Sequence, residues 1–532
     1  MKTYRPYQPR QGFLLPQSPL EWLPEEHLVY FILETVAQLD LSAITAYYER
    51  ERRGYPPHDP QMMVALLLYA YCVGIPSSRK IEQRTHEDIA FRILAGNTHP
   101  DHSCISEFRR IHLPALSGLF VQVLRLCERM GLVKLGVVAL DGTKLRASAS
   151  KHKAMSAARM KQEQERLEQR VKELLAAAEQ ADSNEDAQYG KSHRGDRLPE
   201  ELRRAQSRLE RIRATYAELV AEAEAQKEER ENAETEDAQT ESVLAEIERI
   251  KAAQNLPCAT ETPPDPEDDP PSPPTPSPLP VHQIPVDKNG VVKDSAQRNF
   301  TDADSRIQKD KGGFVQGYNG QFVVDGEAQI IVAHGLSNQA PDAEYFIPML
   351  DRMLASCGRR PDASLADAGY FSDANICRAE ARGLSVYVAP ARTPHGLKEP
   401  PPDEDPPSVQ TQKERMQWKL RSDEGDALYR RRKTIAEPVF GQCKARGFDR
   451  LSLRGHDKAS GEWALIGLTH NLLKLHKARV RRPKLPKPGL PTAPRPLASP
   501  PRTLGFAVLS GFVRPFPFPS RPCFRSTVPT IG

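Results

Sequence analysis

Residues 132–147, LVKLGVVALDGTKLRA, are an apolar run with β-branched side chains, closed by an acid and a glycine. Such short runs bounded by turn signals have the composition of strands buried on both faces. The stretch therefore predicts a buried strand that delivers Asp141 to its end, with Gly142 opening a turn. The pattern returns in SLADAGYF (364–371), which predicts a short strand ending at Asp367. A carboxylate so placed emerges at the sheet edge instead of on its face and can stay charged. Either Asp alone is equally a turn or cap residue. With Glu437 in the helical stretch ALYRRRKTIAEPVFGQCKARG (427–447), the order becomes strand acid, strand acid, helix acid, and the three are candidates together.

Outward from these strands the pattern alternates. GFVQGYNGQFVVDGEAQIIVAHGLS (313–337) holds two β-like runs separated by a DGE hairpin signal. Helical period follows in 342–357, then the strand at 364–371, a helix at 373–383, the strand LSVYVAP (384–390) and a helix-rich stretch from Ala427 to about Lys477. Strands first and then strands alternating with helices predict a mixed α/β sheet. Before it, residues 21–129 show helical periodicity with Asp59 and Ser77 at N-cap positions, Pro60 in a first turn, and Gly74 and Gly96 at helix stops. Arg79, Lys80, Arg84, Arg109 and Arg110 fall outside the apolar stripes. They suit a helix-turn-helix reader of DNA, or equally a helical packing domain with solvated bases.

Residues 156–255 turn to long charged helices with two apolar seams, Leu167, Val171, Leu174 and Ala178, then Leu202, Ala205, Leu209, Ile212, Tyr216 and Leu219. QYGKSHRGDRLPEE between them can reverse the chain, so an antiparallel coiled-coil hairpin is expected, with room for a third helix at Val243 to Ile250. Residues 256–285 are too rich in proline for helix or sheet and read as a disordered linker; residues 478–532 read as a disordered basic tail.

Composition sets limits. The 532 residues exceed one core, and 48 prolines concentrate in the linker and tail. A net charge of +4 neither demands nor excludes nucleic acid. Eight cysteines without a CxxC pair read as reduced thiols, and no signal core or membrane-length apolar run is seen, which places the chain in the cytoplasm.

Cutting a phosphodiester needs an activated water or hydroxyl and a stabilised leaving oxyanion, and two divalent ions do both. Mg²⁺ prefers oxygen ligands and keeps several waters, so a few carboxylates suffice. Asp141, Asp367 and Glu437 come from elements that a ribonuclease-H-like fold can bring together. On the helix of Glu437, Arg430, Lys433 and Lys444 lie three, four or seven residues from its face and can reach DNA phosphates. Trp418, in a polar loop before Glu437, could stack on a base. Asp302 and Asp304 are better read as caps, and Trp463 and Asn471 as core.

The chain resembles the DDE transposases of bacterial insertion sequences, in the subgroup with an InsH-type helical N-terminal domain. The matching stretches are YPPHDPQMMVALLLYAY (55–71), SCISEFRRIH (103–112), ALDGTKLRASASKHKAMS (139–156), YGKSHRGDRLPEEL (189–202), GFVQGYNGQFVVD (313–325), LADAGYFS (365–372), YRRRKTIAEPVFGQCKARGF (429–448) and EWALIGLTHNLLKL (462–475). The constellation Tyr429, Arg432, Glu437 and Lys444 resembles the signature around the family's catalytic glutamate. The resemblance implies a ribonuclease-H-like α/β catalytic core at 131–155 and 286–477, a helical N-terminal domain at 1–130 and the coiled-coil insertion. It implies two Mg²⁺ (or Mn²⁺) ions on Asp141, Asp367 and Glu437, terminal inverted repeats and target DNA as partners, and a homo-oligomer on DNA; Arg432 and Lys444 are then read as phosphate contacts. A copy that kept the fold but lost activity would be a DNA-binding regulatory protein, and a scaffold centred on the hairpin is a third class.

Overall fold

The computed structural model describes residues 21–50, 56–189, 200–253, 276–310, 312–391 and 411–481. The expected hairpin turn at 190–199, the linker up to residue 275 and the tail beyond Arg481 lie outside the described residues.

Among the described residues, six helices come first: α1 (Leu28–Val36), α2 (Ser42–Glu49), α3 (Pro60–Cys72), α4 (Ser78–Glu87), α5 (Ile89–Leu94) and α6 (His102–Arg129). Asp59 caps α3 as expected, accepting from the Met62 amide at 2.9 Å, and Gly74 ends it at a φ of 77°. Every residue of α3 from Met63 to Cys72 is buried, so it is the centre of the helical region. Arg109 does not face solvent. It is 6% exposed, and its guanidinium donates to the Pro76 carbonyl at 2.5 Å and to Ser78 Oγ at 3.3 Å. The turn between α3 and α4 leaves a carbonyl that needs a donor, and Arg109 supplies it. Arg110 is tied to Glu107 one turn back, and Arg84 lies 3.8 Å from Asp88. Arg79 and Lys80 are exposed.

Next come β1 (Val137–Arg146), β2 (Ala154–Ser156), α7 (Ala157–Tyr189), α8 (Glu200–Ala253), β3 (Gln297–Asn299), β4 (Arg306–Asp310), β5 (Gly313–Asp325), β6 (Ile331–Ser337), α9 (Phe346–Cys357), β7 (Ala363–Ala366), α10 (Asp373–Ala381), β8 (Val386–Val388), α11 (Gln412–Arg421), α12 (Asp423–Ala445) and α13 (His456–Arg481). The main sheet runs β4-β5-β1-β7-β8, with β6 paired to the far half of β5. β1 is antiparallel to β5 and parallel to β7, which is parallel to β8. β5 and β6 form the hairpin that DGE signalled.

One apolar core runs from Val29 to Leu475, through both the helical region and the sheet. α13 makes that possible: it is buried almost throughout from Ala459 to Leu472 and packs against α3, α6 and β6. Trp463 stacks on Phe322 of β5 at 4.0 Å between centroids, and Asn471 bonds both backbone groups of Ile331 at 2.8 Å. Both are core residues, as read from the sequence. Asp302 and Asp304 are caps in space: Asp302 accepts from the Gly455 amide at 3.1 Å, and Asp304 from the His456 amide at 2.8 Å, at the start of α13.

α7 and α8 lie side by side, joined by Met160, Leu167, Leu209 and Ile212 and by the pairs Arg208–Glu163 and Arg213–Glu168 at 2.9 and 2.8 Å. Val243 to Ile250 is not a third helix but a continuation of α8. Glu222 of α8 bonds the buried guanidinium groups of Arg298 and Arg306, the latter at 2.9 Å, and ties the arm to the sheet. Residues 277–285 are not free linker. Pro280 accepts from Ser337, the His282 amide donates to Asn338 at 2.8 Å, and the Ile284 amide donates to Gln226 of α8 at 2.9 Å. Backbone groups of a proline-rich segment find partners here because two folded edges flank it.

Candidate active site

Asp141 sits mid-strand and not at a strand end: β1 continues through Gly142 to Arg146. The glycine serves a close approach, not a turn. A Cβ there would come within 2.9 Å of Gln321 Cδ and closer to its amide nitrogen. Asp141 pairs with Phe322, so the two share a face of the sheet. Phe322 stacks toward Trp463 of α13 and Phe440 of α12, which sets Asp141 beneath the α12–α13 layer.

Asp367 follows directly on β7, as the sequence indicated, and accepts from the Gly369 amide at 2.9 Å. β1 and β7 run in register from Val137 opposite Ala363 to Ala139 opposite Leu365. Asp367 stands two residues past the last paired position of β7, as Asp141 does on β1, and its charge acts on Asp141. Glu437 comes from mid-α12, exposed. Burial pushes the Asp141 carboxyl up to about 6; the charges of Asp367 and Glu437 push the same way, while the Gly142 amide and the Arg432 guanidinium oppose them. The three acids are thus near enough to act on one another electrostatically. Among the described residues, however, no group of three or more Asp, Glu, His or Cys side chains is gathered closely enough to hold an ion as it stands. The donor set, all carboxylate, has the chemistry of a hard divalent cation such as Mg²⁺ or Mn²⁺, and mutual repulsion of this kind is what a cation relieves.

The bases on α12 divide into two faces. At 100° per residue, Arg430, Lys433 and Lys444 lie within about 40° of Glu437, and all are exposed. Arg430 is tied to Asp426 by a 2.9 Å bond from Nε. Arg432 lies about 140° from that face, and its charge acts on Asp141. Its guanidinium lies 5.7 Å from the ring centroid of half-buried Tyr429, and its Nε is buried without a protein partner. Burial raises the Tyr429 hydroxyl, and Arg432 opposes the shift. Trp418 lies on α11 and not in a loop; Thr411 and Glu414 form a capping box that starts this helix.

A polar cluster on the opposite face was not foreseen. Gln321, fully buried, donates to Asn319 at 3.0 Å and to Asp342 at 3.2 Å, and accepts from the hydroxyl of Tyr370. Lys144 Nζ donates to the Ala340 carbonyl at 2.7 Å and to Asp342 at 3.3 Å. Through Gly142 and Tyr370, Gln321 touches both segments that carry the aspartates. Its sequence signal was Asn319-x-Gln321, two amides in step on one face of β5.

Two stretches match known family models. Residues 17–110 match the Transposase domain (DUF772), and residues 278–472 match the Transposase DDE domain. Asp367 and Glu437 fall within the second match, and Asp141 lies between the two. No curated protein and no solved structure matches the chain. No helix among the described residues is long and apolar enough to cross a membrane.

Proposed function

Because the chain belongs to the DDE transposases of insertion-sequence type, we propose that it binds the terminal inverted repeats of an element and catalyses metal-dependent DNA cleavage and strand transfer. Asp141, Asp367 and Glu437 would hold two Mg²⁺ or Mn²⁺ ions. The observation that supports this reading is the electrostatic action of Asp367 and Glu437 on Asp141, together with the parallel pairing of β1 with β7 just before the two aspartates. The sheet order, three antiparallel strands β6-β5-β1 followed by parallel β7 and β8, supports a ribonuclease-H-like core. When bound, the ions would activate the attacking oxygen and stabilise the leaving one.

The protein's own groups do the rest. Asp141 lies within β1 and Asp367 directly follows β7, so their spacing would be set before DNA arrives. Arg432, on α12 over Asp141 with an unpartnered Nε, would orient a phosphate oxygen or the Asp141 carboxylate. Lys444, Lys433 and Arg430, on the exposed face of α12 with Glu437, would contact flanking phosphates. Tyr429 holds the Arg432 guanidinium in place. We assign end recognition to the helical domain at 1–130, the chemistry to 131–155 and 286–477, and the assembly of a homo-oligomer to the coiled-coil insertion formed by α7 and α8.

The test is cleavage of DNA carrying the ends that flank the gene. Asp141→Ala should bind those ends and fail to cut them in Mg²⁺. Retained cutting would remove Asp141 from the mechanism, and a wild-type protein that binds ends without cutting would leave a regulatory DNA-binding protein instead.

A further inference from the structure

β1 leaves the candidate active site and ends in a concentration of positive charge. Arg146, its last residue, is exposed and forms a parallel bridge with Arg450, its amide donating to the Asp449 carbonyl at 3.1 Å. The chain then enters a loop, residues 148–153, that is tied down at several points. Arg454 Nε donates to the Ser148 carbonyl at 3.0 Å, Asn299 Nδ2 to the Ser150 carbonyl at 2.8 Å, and the Phe300 amide to the Lys153 carbonyl at 3.1 Å. Ser150 Oγ also accepts from the His152 amide at 3.3 Å. The loop therefore holds Lys151 and Lys153 exposed on a fixed backbone. Across residues 146–153 and 449–455, five Lys and Arg side chains (Arg146, Lys151, Lys153, Arg450 and Arg454) meet one carboxylate, Asp449, which lies 3.8 Å from Arg146. Most of this charge has no acid in either segment to neutralise it, and a tethered loop loses little entropy on binding.

We propose that this surface, the loop 148–153 with Arg146, Arg450 and Arg454, is a phosphate-binding ledge that grips duplex DNA beside the cutting site. The inference rests on the reading of the Asp141 centre as the place of cleavage. The spacing is set by one strand. Five residues from Asp141 to Arg146 at about 3.4 Å each put the end of β1 roughly 17 Å beyond the acid. The odd count turns the Arg146 side chain to the other face of the sheet, so the ledge is met past the strand end and not across the face of Asp141. The ledge would thus hold phosphates about half a duplex turn or more from the bond that is cut. Backbone contacts of this kind carry no sequence information and fix register.

The test is equilibrium binding to end DNA in EDTA, where no cutting occurs, over a range of salt. Each lost phosphate contact lowers the slope of log K against log salt by about 0.9 in magnitude on duplex DNA. Lys151→Gln/Lys153→Gln/Arg450→Gln should lower it by roughly 2 to 3, while Lys151→Arg/Lys153→Arg should leave it unchanged. Ethylation interference should mark phosphates about half a duplex turn or more from the cut, and the marks should vanish in the Gln variant. A Gln variant that melts with the wild type yet keeps its slope and its marks overturns the ledge. Because binding is read without metal, a protein that never cuts DNA but loses slope in the Gln variant would retain the ledge and refute only the chemistry.

Discussion

Replacing Gly142 by alanine tests the packing that holds the two aspartates. The new methyl would lie within 2.9 Å of Gln321 Cδ, and Gln321 is fully buried with bonds to Asn319, Asp342 and Tyr370. It has nowhere to retreat without breaking some of them. Overpacking alone costs about 1–3 kcal/mol, and each buried hydrogen bond broken adds about 1 kcal/mol net. A loss of roughly 2–4 kcal/mol follows, which lowers the melting temperature of a domain this size by several degrees. The control is the same substitution in a Gln321→Ala background, where the clash is gone. The second substitution should then cost at least about 1 kcal/mol less than in the wild type, a coupling expected of residues in contact. Melting curves of the four proteins read both quantities. A Gly142→Ala protein as stable as wild type, or one equally destabilised with and without Gln321, would mean that Gly142 is a simple strand glycine and that Gln321 does not brace it.

Two other outcomes follow from the geometry. Asp141 carries a carboxyl raised by burial from the ordinary 3.8 to about 6, so folding disfavours its ionised form. That penalty is absent below about pH 4, grows between 4 and 6 and is complete above; Asp141→Asn should therefore stabilise the metal-free protein at pH 7 by roughly 2–3 kcal/mol and make no difference at pH 4. Urea titrations at the two pH values check this, and an equal effect at both would exclude the charge as its cause. Glu222→Gln should leave Arg298 and Arg306 as buried cations short of a counter-charge, at a cost on the order of 3 kcal/mol. Limited proteolysis should then release α7 and α8 from the sheet faster than in wild type, and an unchanged digestion rate would show that the apolar contacts of Leu219 and Ile284 suffice.

What was legible in the sequence was periodic or capped. The strands around Asp141 and Asp367, the DGE hairpin, the caps of α3 and the seams of α7 and α8 all announce themselves in local residue order. Gly142 misled because a glycine after an acid signals a turn, whereas the demand for it comes from Gln321, nearly two hundred residues away. Arg109 and residues 277–285 misled in the same way: a base and a proline-rich segment look solvated until a folded neighbour supplies their partners. The division of α12 into a Glu437 face and an Arg432 face follows from 100° per residue. Which face meets the sheet does not, since that depends on Phe440 finding Phe322. The cluster of Gln321, Asp342 and Lys144 joins segments whose proximity only the sheet topology creates.

The most direct test of the account is diffraction at the manganese edge from the protein bound to end DNA that it cannot cut. The account predicts anomalous density bounded by the carboxylates of Asp141, Asp367 and Glu437, lost when Asp367 is replaced by asparagine. Manganese held by other side chains, or density that Glu437 never approaches, would contradict it.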